Sequence, residues 1–205
     1  MPCYEIRPIS RKEKGLVARS DIAKGTRILD EEPLFALASV ASSLDSPVIS
    51  KVKTLPKDQQ RRYLSLHNNN KGKNIFAGIF RTNALPCGPD SIVGAVYPKI
   101  CLINHACDPN SHHSWNSSRG RETIHATRDI KVGEEITISY GKDETSADRR
   151  AELRSSFGFD CSCSVCSLSP SEMQLSDSLR RRIEQLDEAI GDGNRVMNKP
   201  GKMIS

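Results

Sequence analysis

A chain of 205 residues, 37% hydrophobic and 27% charged, is suited to one globular domain with a respectable core and at most a small appendage. Its net charge of +5 is mild, its basic residues are scattered and its aromatics few, so direct nucleic-acid recognition is not expected, only a weak preference for acidic partners. No stretch approaches the apolar length of a bilayer span, and Met1 to Lys14 lacks the hydrophobic run of a secretory leader. The seven cysteines are therefore expected as thiols or metal ligands in a reducing compartment, nucleus or cytosol.

Residues 4–38 read as short strands and turns, with Gly15-Leu16-Val17-Ala18 and Thr26-Arg27-Ile28-Leu29 as apolar runs around a turn at Lys24-Gly25. From about Ala41 to Asn74 the composition turns polar and helical, with Val48, Val52, Leu55, Tyr63, Leu64 and Leu66 at interrupted helical spacing and Pro56 at a break. His67 to Lys73 reads as a flexible, solvated loop. Residues 75–100 return to short apolar pieces.

Cys101 to Asn110 then reads as an apolar strand that turns polar abruptly at Asp108-Pro109-Asn110. Asn104, His105 and Cys107 sit where that strand surfaces, either as a reactive site or as hydrogen-bonding groups that steady the loop. His112, His113 and Trp115 fall in a following strand; adjacent strand residues point to opposite faces, so the two histidines are not expected to share a metal ion. Glu122 to Ala126 is another strand, and Gly133 to Gly141 opens with a turn and runs into the next. Ser146 to Ser155 has helix character with a solvated charged face. Cys161, Cys163 and Cys166 form a Cys-x-Cys-x-x-Cys cluster, either three metal-ligating thiolates or redox thiols. Ser169-Pro170-Ser171 is expected to end the domain. Asp177 to Ile190 reads as an amphipathic helix, stopped by Gly191 to Asn194, whose Leu179 stripe is expected to pack on its own domain, with a partner site as the alternative.

Three stretches stand in order: Asn-His-x-Cys-x-Pro-Asn at Asn104–Asn110, Gly-Glu-Glu-Ile-Thr-x-x-Tyr at Gly133–Tyr140, and Phe-x-Cys-x-Cys-x-x-Cys at Phe159–Cys166. In these the chain resembles the SET-domain protein lysine methyltransferases, nearest to the SET-and-MYND branch and its fungal relatives without the MYND zinc module. The resemblance covers roughly residues 10–168, and no cysteine lies between Cys3 and Cys87 to form that module. It implies a mainly β (α+β) fold of small sheets with a threaded C-terminal segment. The expected layout is an N-terminal part at 1–40, a helical insert at 41–80, the C-terminal part at 81–160, a post-SET zinc segment at 161–168, and a terminal helix and tail at 176–205.

The resemblance further implies S-adenosylmethionine as methyl donor, held by the backbone of Lys14, Gly15 and Leu16, by the Asn104 side chain, by the His105 backbone, and by Phe159 stacking on the adenine. It implies Tyr140 as catalytic residue and cofactor contact, with Leu85, Tyr97 and Tyr140 walling the substrate channel; Tyr97 alternatively serves as a structural phenol. Structural zinc is implied on Cys107, Cys161, Cys163 and Cys166, a closed site unsuited to hydrolysis. The expected partner is a protein substrate bearing a target lysine, histone or not, met by a monomer without membrane attachment. Two features depart from the family pattern: Glu13 stands where its first glycine does, and Ala84-Leu85 where the family has a serine and an aromatic. They leave open an alternative, a weak or inactive SET-fold interaction module. The single C-terminal helix, where the branch carries a long helical domain, suggests a shorter variant or a fragment.

Overall fold

A computed structural model describes residues 1–10, 12–38, 44–70, 72, 74–89, 91–141 and 145–191. Among them the chain forms ten strands: β1 (Tyr4–Pro8), β2 (Lys14–Ala18), β3 (Arg27–Glu31), β4 (Phe35–Ala38), β5 (Leu85–Pro86), β6 (Val93–Val96), β7 (Asn104–His105), β8 (Ser111–Asn116), β9 (Arg121–Ala126) and β10 (Glu135–Ile138). Five α-helices accompany them: α1 (Asp45–Thr54), α2 (Lys57–Leu64), α3 (Ile75–Asn83), α4 (Ser146–Glu152) and α5 (Pro170–Gly191). The strands make three small sheets in the orders β1-β2-β10-β7, β3-β9-β8 and β4-β6-β5. The architecture is thus mixed α+β. No helix among the described residues is long and apolar enough to cross a membrane.

Two cores form. Leu16, Ala18, Leu29, Ile103, Ile124 and Ile136 pack between the first two sheets. Phe35, Val48, Val52, Tyr63, Ile79 and Phe80 pack between the third sheet and α1–α3. Alternation along β6 serves both, because Ala95 belongs to the first core and Val96 to the second. Phe35 lies 5.4 Å from the Tyr63 ring and 5.8 Å from that of Phe80. The buried Tyr63 hydroxyl donates to the Phe76 carbonyl at 2.6 Å, which removes the desolvation cost of an orphan phenol.

Three expectations need correction here. The apolar pieces after residue 75 are one helix, α3, because the Asn74 side chain caps it by accepting from Phe76 N and Ala77 N. The loop before it is not freely solvated: Asn69 N donates to Thr82 Oγ1 at 3.1 Å, and a Cβ on Gly78 would stand 2.5 Å from Asn68 Oδ1 and 2.6 Å from the Asn70 carbonyl. Asn68–Asn70 thus lie directly on α3; Lys71 and Lys73 fall outside the described residues. Finally, the terminal helix starts at Pro170, seven residues before the expected Asp177. Ser169 and Glu172 exchange hydrogen bonds as a capping box, Ser169 N donating to Glu172 Oε2 at 3.0 Å, with Pro170 at the first helical position.

The apolar stripe of α5 also differs from expectation. No residue of α5 is buried, and Leu175, Leu179, Ile183 and Ile190 are each more than half exposed. The helix is held by polar ties instead, Ser146 N and Oγ donating to Asp177 at 2.7 Å and Arg180 donating to the Cys107 carbonyl at 3.1 Å. The expected stop at Gly191–Asn194 and the tail lie largely outside the described residues, as does the expected boundary near residue 40.

Candidate active site

Asn104 and His105 form β7, the parallel neighbour of β10, with Asn104 opposite Thr137 and His105 opposite Ile138. This pairing brings the Asn-His stretch onto the Gly-Glu-Glu strand, and the side chains match one to one. Glu135 Oε1 accepts from Asn104 Nδ2 at 2.7 Å, while Glu134 Oε1 accepts from Asn110 Nδ2 at 3.0 Å. Asn110 also accepts from Thr137 N at 2.9 Å and donates to the Glu135 carbonyl at 2.8 Å. Each glutamate therefore secures one asparagine of the loop. Arg128, Asn110 and Lys131 N hold the Glu134 carboxyl down to about 2.

The second amide hydrogen of Asn104 goes to the Lys14 carbonyl at 2.9 Å. With both hydrogens committed, what Asn104 retains for a ligand is its Oδ1, an acceptor suited to an ammonium group. This close crossing requires Gly15, since a Cβ there would stand 2.8 Å from Asn104 Nδ2 and from Ile9 Cγ1. Glu13, at the position where a glycine was expected, leaves the crossing undisturbed. Its side chain is exposed and reaches His67 Nδ1 at 3.2 Å.

His105 is buried and bridges two features. Its Nδ1 accepts from Tyr140 N at 3.1 Å, so Nε2 carries the hydrogen, which it donates to Cys107 Sγ at 3.3 Å. Burial pushes this imidazole down to about 4, which keeps it neutral. Tyr140 follows β10 and packs its ring 4.8 Å from Phe157, 5.4 Å from His105 and 6.4 Å from Phe159. Its hydroxyl donates to the Ile103 carbonyl at 2.7 Å, and burial raises it above the usual phenol range. A neutral phenol whose hydrogen is spoken for has only oxygen lone pairs to present. Phe157 and Phe159 reach this ring through a wide helical turn over Leu153–Phe157, ended by Gly158 at φ +74°.

Cys107, Cys161, Cys163 and Cys166 place their sulfurs within 4.8 Å of one another, with Cys107 and Cys166 Sγ 3.5 Å apart. Hydrogen bonds from Cys107 and Cys161 pull the Cys163 thiol far down, and the Cys107 thiol is correspondingly pushed up. A set of sulfurs that crowded around one thiolate is poised to exchange protons for a cation. Among the described residues no other group of three or more histidine, cysteine or acidic side chains is placed to hold a metal. His112 and His113 do not separate as cleanly as an ideal strand would have them, their ring centroids being 5.5 Å apart. Cys101 is a different kind of thiol, donating to the Asn83 carbonyl at 3.3 Å and pushed up to about 12 by burial.

These groups surround a cavity of about 770 Å³, in whose wall stand Lys14, Asn104, His105, Tyr140, Phe159 and Leu85. Of the expected contacts, Gly15 and Leu16 lie buried behind the wall. Tyr97, expected in the channel, is placed elsewhere: it is fully buried in the first core, and the cavity lining does not include it. Sequence reasoning missed Asn110, Glu134 and Glu135, although their motif positions were in view; the signal lay in the two asparagines of one motif matching the two glutamates of the other. It also missed His113, which lines the cavity.

Known proteins share this stretch. The histone-lysine N-methyltransferase set5 of Schizosaccharomyces pombe is 34% identical over 180 residues, covering 87% of this chain and 55% of that protein. The Saccharomyces cerevisiae histone-lysine N-methyltransferase SET5 is 34% identical over 107 residues, 52% of this chain and 19% of that protein. The human histone-lysine N-methyltransferase SMYD3 is 44% identical over 72 residues, 35% of this chain and 16% of that protein. The chain thus spans about half the length of the first of these relatives and far less of the others. The family model described as SET domain matches residues 13–141, well over half of the chain and the stretch that carries Asn104, His105 and Tyr140, and the chain belongs to that family.

Proposed function

We propose that this chain is an S-adenosylmethionine-dependent protein-lysine N-methyltransferase with a structural zinc ion. The observation that carries the reading is the shared cavity: Asn104, whose Oδ1 is uncommitted, the Tyr140 phenol and Phe159 all line one space. An ammonium, a methyl donor and a planar base each find there a group of fitting chemistry. The three named relatives are lysine methyltransferases, which supports the same reading.

When bound, S-adenosylmethionine supplies an electrophilic methyl on a sulfonium. The chain supplies the rest. Asn104 Oδ1 receives the ammonium of the amino-acid end, and the Lys14 and Gly15 backbone lies beside it. Phe159 offers its face to the adenine. Tyr140, its hydroxyl held by Ile103, keeps oxygen lone pairs free and would steer the lysine nitrogen into line. The four cysteine sulfurs fit tetrahedral zinc, which binds thiolates at about 2.3 Å. Bound there, such an ion would pin the segment carrying Phe159 over Cys107 and His105. The substrate class is a lysine side chain of a protein; a histone would be met in the nucleus, another protein there or in the cytoplasm.

The alternative, an interaction module without turnover, rests on Leu85 and Ala84, which give the channel an aliphatic wall. One experiment separates the two. Calorimetry should show the zinc-loaded protein binding S-adenosylmethionine, Asn104→Ala abolishing that binding and Tyr140→Phe retaining it, with labelled methyl transferred to recombinant core histones by the wild type and far more slowly by Tyr140→Phe. Absence of binding by folded wild type would reject the enzyme.

A further inference from the structure

One ionisable pair at the cavity has no place in the scheme above. His113 on β8 and Glu122 on β9 are diagonal neighbours on the same face, since His113 lies opposite Ile124 and Glu122 opposite Trp115. The Glu122 side chain has 0% exposure, its Oε1 lies 3.0 Å from His113 Nδ1, and its Oε2 has no hydrogen-bond partner. A carboxylate so buried needs a donor, and the imidazole provides one. With Nδ1 as the donor in that contact, Nε2 is the nitrogen left with a free lone pair, on a ring that stands in the cavity wall with a quarter of its side chain exposed.

We propose that His113 Nε2, aimed by Glu122, takes the proton that the target lysine must lose before its nitrogen can accept a methyl group. This rests on the methyltransferase reading. His113 is then a catalytic residue and Glu122 a positioning residue. The protons balance: the ammonium passes one proton to Nε2, giving a neutral amine and an imidazolium opposed by the Glu122 carboxylate. The amine's lone pair forms the new N–C bond as the S–C bond breaks, leaving a methylated ammonium and a neutral thioether. The imidazolium returns its proton to solvent through its exposed quarter. The arrangement of base and buried orienting carboxylate is the one general-base catalysis requires.

Other titratable groups line the same cavity, among them Lys12, Glu13, Lys14, His67, Arg81, His105 and Tyr140. His112, on the same strand, stacks 5.5 Å from His113. On β9, His125 lies opposite His112. Cys87 and Tyr97 both feel the charge of Glu122. On β10, Glu135 is taken up by Asn104 and Lys12. No cation competes with His113 for Glu122 among the recorded ion pairs of the described residues.

The test is the pH profile of methyl transfer to recombinant core histones, measured for the zinc-loaded wild type, His113→Asn and Glu122→Gln. Asparagine still donates to Glu122, so the buried carboxylate keeps a partner, but it is no base. A folded, cofactor-competent variant is certified by S-adenosylmethionine affinity equal to wild type. The expected result is a loss in kcat/KM of about 100-fold near neutral pH for His113→Asn. The gap should close toward pH 10, where lysine, with a reference value of about 10.4, deprotonates unaided. Glu122→Gln should show a smaller loss of the same pH dependence. A profile parallel to wild type at every pH, or a rate equal to wild type, would overturn the proposal while leaving the function intact. Failure of the wild type itself to bind the methyl donor would reject the function on which the proposal stands.

Discussion

Gly15→Ala adds a single methyl group where β2 passes under Asn104. The new Cβ would meet Asn104 Nδ2 at 2.8 Å, Ile9 Cγ1 at 2.8 Å and Glu135 Oε1 at 3.0 Å, all inside normal contact distance. None of the three is backbone, so the strand can hold its place and the side chains must yield. Asn104 yields only by stretching its bonds to the Lys14 carbonyl and to Glu135, now 2.9 and 2.7 Å. Overpacking of this kind costs about 1–3 kcal/mol; for a chain of this length that is roughly 2–4 °C in Tm per kcal/mol. Binding should suffer more selectively. On the proposed function, displacing the Asn104 acceptor would remove a hydrogen bond to a charged group, worth about 1.5–3 kcal/mol, so S-adenosylmethionine should bind about 10- to 100-fold more weakly. Calorimetry beside thermal unfolding measures both. A variant with wild-type affinity and wild-type Tm would refute the argument that Gly15 exists for the Asn104 crossing.

Four further outcomes are expected. Glu134 has a folded-state value of about 2 against an ordinary 4.5, so its contribution is fully present above about pH 4.5 and is lost as pH falls toward 2; Glu134→Gln should flatten the acid limb of a denaturant-midpoint profile over that window. Removing metal with a chelator, or Cys163→Ser, should lower Tm and weaken binding of the methyl donor together, and elemental analysis should return one zinc per chain. Tyr140→Phe should reduce kcat on the order of 100-fold with donor affinity unchanged, as for loss of one preorganised polar group. Leu179→Glu, on a side chain 56% exposed, should leave stability within about 0.5 kcal/mol, as read by urea unfolding.

Much of the site was legible because its residues come in short, chemically unusual strings. Asn104, His105, Tyr140 and Phe159 meet at one cavity, and the four cysteines that the strings single out meet at one point. Strands over 111–116 and 121–126 and the C-terminal helix followed from alternation and helical spacing. What escaped was decided by contacts between distant segments. Asn74 begins α3 from within a polar run whose composition says loop, and the Ser169–Glu172 capping box was hidden by reading Ser-Pro as an end. Tyr97 was drawn to the channel by the resemblance, yet it follows β6 directly and is buried in the first core. His113 and Glu122 form a diagonal pair nine residues apart, which no local period announces. The α5 stripe has the spacing of a buried face, yet none of its residues is buried.

The double allegiance of β6 has a mechanical consequence. The two cores are separate packing units, and partly buried Cys101 and Leu102 touch both. These two residues also stand in the cavity wall, together with Thr82 and Asn83 of α3 and Tyr140 from the opposite unit. The cavity therefore sits on a seam, and its width is set by how the helical unit leans on the sheets rather than by either unit alone. Since sub-globular units open with their own free energies, anything that loosens α1–α3 dilates the site before it unfolds the molecule, and a ligand filling the seam fastens the two units to each other.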